Sequence, residues 1–140
     1  MKAHLNRRYR LSASHRLHSD AMTAEENRAT YGKCNNEHGH GHNYTIQVTV
    51  SGLVDGATGM VCNLADLDGF VHREIVNRYH LQNLDVLPEF QKQVPTTENL
   101  CVCIYEIVRR GFTLAHLEKI RIEETMMNSF EYSGSAEIHR

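Results

Sequence analysis

The sequence lacks tryptophan, has only two prolines, and contains no long apolar run. Because a membrane-spanning helix needs about 20 apolar residues, we expect no segment to cross a bilayer. The segment Met1–Arg7 also lacks the apolar core of a signal peptide, so we expect a cytoplasmic protein. No repeat, low-complexity tract or linker interrupts the 140 residues, and this length predicts one domain over 1–140.

A strong charge of either sign is also missing. The chain has 15 Lys and Arg against 17 Asp and Glu, which gives a net charge of −2 at pH 7. General nucleic-acid binders and membrane-surface proteins usually carry a clear basic excess. We therefore expect neither nucleic acid nor a membrane as a partner.

Histidine is the residue that the sequence has in excess, with ten copies. Residues 34–44 read Cys-Asn-Asn-Glu-His-Gly-His-Gly-His-Asn-Tyr, which places one thiol and three imidazoles within nine positions. Sulfur and imidazole nitrogen are the ligands that zinc prefers. The run therefore predicts a transition-metal site, with zinc as the favoured ion. Cys34 is either a ligand or a reactive group beside the metal.

The other cysteines do not suggest a disulfide framework. Cys101 and Cys103 are two positions apart in an apolar helical stretch, so their side chains diverge. Without a secretory signal, we expect them and Cys62 to be reduced thiols.

Periodicity predicts the secondary structure. Alternating apolar and polar residues predict strands over 5–15, 42–53, 117–124 and 129–138. Helical spacing predicts one helix from Leu64 to Tyr79, and a second that begins after Pro95 at a Thr96 or Thr97 cap and ends at Gly111. The polar segment 18–39 is too long for a simple connection, so we expect a functional loop with a short helix around Thr23–Ala29.

This order of elements, ββααββ, predicts an α+β fold. Four antiparallel strands would form one sheet, with two helices on one face. An open sheet leaves unpaired edges, which small domains often cover by oligomerising.

Spacing alone does not decide which histidines bind the metal. Alternate side chains of an extended segment share a face, so either His38 and His40 or His40 and His42 can bind one ion. A third ligand must come from another segment, and His15, near the end of the neighbouring strand, is the candidate. Three imidazoles with an open fourth position are typical of catalytic zinc. Adding Cys34 would instead close a structural site, and a solvated histidine loop is the remaining interpretation.

Six motifs occur in order over nearly the whole chain: Ser12–His18, Gly32–Asn36, Gly39–Tyr44, Thr58–Val61 with Asn63–Leu67, Pro95–Asn99, and Glu124–Thr125. Each is weak alone. Together they resemble the 6-pyruvoyltetrahydropterin synthases and their relatives, the 6-carboxytetrahydropterin synthases of the queuosine pathway. The resemblance implies a tunnelling fold, in which three subunits close their sheets into a barrel. Two such rings would stack into a homohexamer with active sites between subunits.

The resemblance also implies a substrate, 7,8-dihydroneopterin triphosphate, and roles for individual residues. The zinc ligands would be His15, His40 and His42, which selects the later of the two pairs. Cys34 would be the catalytic thiol. The pterin would be anchored by Glu124 and held by Thr96, Thr97 and Glu98. The product would be 6-pyruvoyltetrahydropterin or, on the other branch, 6-carboxytetrahydropterin.

One segment departs from the family pattern, in which an Asp-His pair shortly before Asn-Leu-Asp supplies a proton-shuttling histidine and its orienting acid. Residues 78–85 read Arg-Tyr-His-Leu-Gln-Asn-Leu-Asp. Counting towards Pro88 puts His80 on the family histidine and Tyr79 on the Asp. Aligning the Asn-Leu-Asp triplet instead puts His80 on the Asp and Leu81 on the histidine.

We favour the first alignment because it keeps an imidazole near the site. It predicts His80 and Asp85 as catalytic residues beside Cys34, with Asp85 replacing the missing acid. The second alignment loses the shuttle and supports an alternative hypothesis, a pterin- and zinc-binding homologue whose catalysis is impaired.

Overall fold

The computed structural model describes residues 1–135, and two long strands form the centre of its sheet. Strand β1 (Lys2–His15) pairs antiparallel with β2 (His40–Leu53), in a register that runs from Lys2 opposite Leu53 to His15 opposite His40. Odd positions are buried from Tyr9 to His15 in β1, and even positions are buried from Tyr44 to Val50 in β2, as the alternation predicts. The register therefore fixes which side chains meet at the end of the strand pair.

The sheet has five strands, in the order β3-β1-β2-β4-β5. Strand β3 is Gln82–Asn83, β4 is His116–Glu123, and β5 is Ser129–Tyr132. The predicted four-stranded antiparallel sheet is therefore wrong in one respect, because β3 pairs parallel with β1 at Ala13–Ser14. Two residues are too few to show an alternating pattern. The α+β class is confirmed, while the predicted strand over 129–138 extends outside the described residues.

The helices follow the predicted bounds closely. Helix α1 (Ala24–Tyr31) begins at a Thr23 cap that exchanges hydrogen bonds with Glu26. Helix α2 (Leu64–Val71) continues through a π-helical turn (His72–Val76) into α3 (Asn77–Tyr79), so the predicted helix is present but interrupted. Helix α4 spans Thr97–Gly111.

Packing explains where α4 begins and ends. Thr96 caps its N-terminus, and Leu100, Ile104 and Val108 are fully buried against the sheet. Gly111 allows a close approach, because a Cβ there would lie 2.5 Å from the ring of Phe70. The helices and the buried face of the sheet therefore share one core. Within residues 1–135, no helix is both long and apolar enough to cross a bilayer.

Candidate metal centre and active site

The β1–β2 register brings three histidines together at one end of the sheet. His15 lies opposite His40, and His42 lies opposite Ala13, two residues before His15. One ring nitrogen of each histidine lies within 4.8 Å of the others, and the Nε2 atoms of His40 and His42 are 2.9 Å apart. His38 is exposed and lies outside this cluster. The structure thus brings together the three residues predicted as ligands.

Gly39 makes this approach possible. Its φ is +71°, and a Cβ at this position would lie 2.6 Å from the carbonyl oxygen of His15. Glycine tolerates this backbone conformation, whereas other residues pay a steric cost. The turn into β2 can therefore lie directly against the end of β1.

His15 has the surroundings of a metal ligand. Its ring is 1% exposed, and its Nδ1 lies 2.8 Å from the carbonyl oxygen of Pro95. Since a carbonyl only accepts, Nδ1 carries the proton and Nε2 carries a lone pair. This buried Nε2 has no hydrogen-bond partner in the described structure. A buried, unpartnered nitrogen facing two other imidazoles fits a bound metal ion.

The protonation of the cluster also favours a metal. Burial lowers the pKa of His15 and of His42 below the ordinary histidine value. Both rings are therefore neutral at pH 7, which is the form that coordinates metals.

Cys34 lies beside the cluster rather than in it. It belongs to a 3₁₀ helix (Gly32–Asn35), is half-buried, and places its Sγ 3.8 Å from Nε2 of His40. Burial raises the pKa of the Cys34 thiol, and the nearby Glu124 carboxylate raises it further. The thiol is outside the group of three close ligand atoms, so the geometry does not support a closed site that includes Cys34.

Glu124 supplies the carboxylate of the site. It follows β4, and its side chain is 14% exposed. Its Oε1 lies 3.2 Å from Nε2 of His42 and 3.8 Å from Nε2 of His15, while Oε2 accepts a hydrogen bond from Asn128. The parity with Ile120 and Ile122 thus indicated the correct, largely buried side of the sheet.

Asp85 lies close to the cluster, but its side chain contacts the backbone of Arg16. Its Oδ1 accepts a 2.8 Å hydrogen bond from the amide of Arg16, the residue after His15. No hydrogen bond of the described residues joins Asp85 to Cys34. A catalytic role for Asp85 therefore stays a prediction.

The hydrogen bonds of Tyr79 and His80 are made outside the histidine cluster. His80 is exposed, and its Nδ1 accepts a 3.0 Å hydrogen bond from the amide of Ser12. Tyr79 is fully buried and donates its hydroxyl proton to Glu89 at 2.7 Å. Leu81 is 76% exposed with a φ of 60°. Within residues 1–135, no hydrogen bond joins His80 to Cys34, so one chain does not bring these two predicted residues together.

The Thr-Thr-Glu run at the start of α4 has three different environments. Thr96 accepts a hydrogen bond from the amide of Asn99 and so caps the helix. Thr97 is buried, and its hydroxyl has no partner among the described residues. Glu98 is exposed. In the described chain, none of the three forms a hydrogen bond with Glu124.

Sequence reasoning missed two residues that support the site. Asn35 is buried and joins the segment of Cys34 to the segment after His15. Pro95 orients His15 through its backbone carbonyl, which no side-chain pattern can reveal. Both residues lie in motifs of the sequence, Gly32–Asn36 and Pro95–Asn99, and this was the available signal.

Comparisons with known proteins identify the family of this chain. The family model described as 6-pyruvoyl tetrahydropterin synthase matches residues 4–135. The Homo sapiens 6-pyruvoyl tetrahydrobiopterin synthase is 44% identical over 134 residues, which cover 95% of this chain and 92% of the human protein. The solved Caenorhabditis elegans 6-pyruvoyl tetrahydropterin synthase superposes with a TM-score of 0.92 at 38% identity, and the match covers 96% of this chain and 97% of that chain.

A relative from the other branch is more distant. An Archaeoglobus fulgidus protein with the provisional name 6-carboxy-5,6,7,8-tetrahydropterin synthase is 31% identical over 86 residues. That match covers 61% of this chain and 67% of the archaeal protein. The whole-length matches decide the assignment: the chain belongs to the 6-pyruvoyl tetrahydropterin synthase family and is an enzyme of the lyase class.

Proposed function

We propose that this protein is a zinc-dependent lyase that converts 7,8-dihydroneopterin triphosphate to 6-pyruvoyltetrahydropterin and triphosphate. The observation that carries the proposal is the convergence of three imidazoles, one buried and two half-buried, beside a thiol and a carboxylate. The similarity to the human 6-pyruvoyl tetrahydrobiopterin synthase over 95% of the chain supports this product. The 6-carboxy branch is not favoured, because its relative matches only 61% of the chain.

The metal would be held by His15, His40 and His42. Three imidazole nitrogens are a ligand set of catalytic zinc, and the Pro95 carbonyl holds His15 in the tautomer that this requires. Bound zinc supplies Lewis acidity at the side-chain hydroxyls of the substrate and positive charge that favours a thiolate nearby.

Cys34 would be the base. Its Sγ lies next to His40, where it can take a proton from a substrate carbon seated at the cluster. Its own surroundings raise the pKa of the thiol, so the chain alone keeps Cys34 protonated. The proton shifts oxidise the substrate's side chain while the ring is reduced. The C–O bond to the triphosphate breaks, and triphosphate leaves with the bonding electron pair. No external oxidant is needed.

Glu124 would anchor the pterin. A carboxylate accepts two parallel hydrogen bonds from the guanidine-like edge of the pterin ring, and the low exposure of Glu124 strengthens them. In this proposal Thr96, Thr97 and Glu98 complete the pterin pocket. None of these three residues hydrogen-bonds to Glu124 within the described chain, and in this proposal a neighbouring subunit supplies part of the pocket.

A homohexamer with sites between subunits is therefore part of the proposal. In the described sheet, β3 and β5 are edge strands whose outer sides are unpaired. Large apolar side chains are exposed nearby: Leu81 is 76% exposed, and Met126 and Met127 are about fully exposed. We also propose a cytoplasmic location, which the four free cysteines favour.

One observation favours the second candidate, a pterin- and zinc-binding homologue with impaired catalysis. The Nδ1 atom of His80 is occupied as an acceptor from the Ser12 amide, a role that an aspartate would also fill. The next residue, Leu81, has no proton to transfer. This arrangement supports the alignment in which Leu81 takes the place of the family's proton-shuttling histidine.

The test compares Cys34→Ala with Cys103→Ala, since both thiols are half-buried but only Cys34 lies at the cluster. With the substrate and zinc-loaded protein, we expect 6-pyruvoyltetrahydropterin and one equivalent of triphosphate, identified by mass spectrometry. Removal of a base typically costs about 10²- to 10⁴-fold in kcat, so Cys34→Ala is expected to lose that much and keep its zinc. Cys103→Ala is expected to behave like the wild type.

Three outcomes would contradict the proposal. Release of acetaldehyde with 6-carboxytetrahydropterin would assign the chain to the other branch. Zinc and pterin binding without triphosphate release would identify a binding protein. Wild-type turnover in Cys34→Ala would remove Cys34 from the reaction.

A further inference from the structure

We propose that Arg16 and Asn35 are positioning residues, which clamp the catalytic thiol to the strand that carries the metal ligand His15. We call this pair the Arg16–Asn35 clamp. The inference rests on the proposed role of Cys34 as the base. It assigns a task to a motif asparagine that neither binds the metal nor reaches the cluster.

Three hydrogen bonds form the clamp. The Arg16 side chain donates from Nε to the backbone carbonyl of Asn35 at 3.2 Å. The Asn35 side chain donates from Nδ2 to the backbone carbonyl of Leu17 at 2.8 Å. Between them, the Leu17 amide donates to the carbonyl of Cys34 at 2.7 Å. Each of the two segments therefore holds the backbone of the other.

The clamp holds the residues that follow the end of β1, where the hydrogen bonds of the sheet stop. Strand β1 ends at His15, so the residues that follow have no strand partner. The 3₁₀ helix of Cys34 is only four residues long and has no side-chain cap at its start. Such short helices are weakly stable by themselves. The position of the thiol relative to His15 thus depends on the contacts between these two segments.

Asn35 is built into this contact, whereas its neighbour is not. Asn35 is 8% exposed, and its Nδ2 also lies 3.2 Å from Nδ1 of His18. Asn36 has the same side chain but is exposed, and none of the described side-chain hydrogen bonds involves it. Burying an amide is costly unless its hydrogen bonds are made. The burial of Asn35 therefore indicates a structural task for its amide.

Asp85 also holds Arg16, through the backbone amide of that residue. Its carboxylate accepts from the amide of Arg16 at 2.8 Å, while its own amide donates to the side chain of Asn83. Arg16 is thus fixed through its backbone by Asp85 and through its side chain by Asn35. This geometry gives Asp85 a positioning role that does not require contact with the substrate.

The test uses Asn35→Asp and, as its matched control, Asn36→Asp. Both variants add one negative charge at adjacent positions, but only the first replaces a clamp donor with an acceptor. The readouts are kcat, KM, bound zinc, and the rate at which iodoacetamide alkylates Cys34 at fixed pH, mapped by peptide mass spectrometry.

A displaced catalytic group typically costs up to about 10²-fold in rate, so Asn35→Asp is expected to lose roughly 10- to 100-fold in kcat. KM should stay within about twofold, because substrate binding is not the affected step. Zinc content should equal that of the wild type. Loss of one buried hydrogen bond should expose the thiol more often and speed Cys34 alkylation roughly fivefold. Asn36→Asp should match the wild type throughout.

Wild-type kcat and alkylation rate in Asn35→Asp would overturn the clamp. Loss of zinc in parallel with activity would also overturn it, since Asn35 would then support the metal site and not the thiol. If Asn35→Asp fails to fold, Arg16→Met carries the same test, and a change confined to KM would make Arg16 a substrate contact instead. The alkylation difference needs no turnover, so a wild type that lacks lyase activity but shows this difference would retain the clamp and reject the proposed function.

Discussion

The histidine cluster (His15, His40 and His42) and the segment Tyr79–Asp85 are built in different ways. The cluster rests on β1 and β2, the two central strands, each 14 residues long and fully paired with the other. The segment rests on β3, an edge strand of two residues. The three histidines of the cluster meet within one chain, whereas His80 and Leu81 of the segment are exposed.

This contrast separates two parts of the proposed chemistry. Metal binding depends on a register that a single sheet fixes, so one chain assembles it. In the proposed function, the proton shuttle depends on groups at a sheet edge, where a further subunit would complete the surroundings. We infer that the metal site tolerates changes in the segment but not changes in the cluster.

The largest expected effect breaks the cluster itself. His40→Ala removes one of three converging nitrogens and leaves only two ligands for the ion. A catalytic metal supplies several kcal/mol of transition-state stabilisation, so we expect at least about a 10³-fold loss of kcat/KM. Zinc content, measured by atomic absorption after dialysis, should fall in parallel.

His38→Ala is the matched control, because His38 lies two residues away on the same run but outside the cluster. It should keep both zinc and activity. Loss of zinc in His38→Ala as well as in His40→Ala would contradict the observed convergence and restore the pair His38 and His40.

A smaller effect tests the rigidity of the cluster. Gly39→Ala places a methyl group 2.6 Å from the His15 carbonyl at a φ of +71°, whereas Gly41→Ala meets its nearest atom at an ordinary 3.6 Å. A non-glycine residue in this conformation costs about 1–3 kcal/mol, so we expect that decrease in the free energy of unfolding for Gly39→Ala.

Urea unfolding of the metal-free proteins measures this effect without a contribution from zinc binding. Gly41→Ala should change the midpoint by much less. Equal midpoints for the two variants would show that the turn at Gly39 adjusts freely, and that the cluster is not rigidly held.

The same contrast explains what the sequence predicted well. Parity placed His40 and His42 on one face, because alternation in a long strand is regular, but it left His38 open, and the family resemblance selected the pair that the structure brings to His15. Parity with Ile120 and Ile122 likewise placed Glu124 on the covered side. In a long, strongly periodic element, the side-chain pattern shows which residues share a face.

The features that were not predicted have no such pattern. Strand β3 has only two residues, and the π-helical turn His72–Val76 keeps the apolar spacing of a helix. The orienting group of His15 is the backbone carbonyl of Pro95, so no side chain marks it. The segment at His80 was ambiguous because two alignments fitted it, and local spacing could not choose between them.

The smallest expected effect addresses that segment directly, by comparing Leu81→His with His80→Ala. Leu81 has a φ of 60°, a conformation that is uncommon for leucine and in which histidine is several-fold enriched. Leu81→His should therefore fold at least as well as the wild type. If Leu81 takes the place of the proton-shuttling histidine, this change restores a titratable group, and kcat should rise about tenfold, towards the 10² typical of a general acid or base.

In His80→Ala, the Ser12 amide loses its acceptor, and kcat should fall by less than about tenfold, since His80 then only supports the edge strand. Steady-state kinetics of triphosphate release measure both variants. If instead His80→Ala loses 10²-fold or more and Leu81→His changes nothing, His80 is itself the shuttle. The segment Tyr79–Asp85 would then supply a working proton-transfer group. It would differ from the cluster only in needing a neighbouring subunit to complete its surroundings.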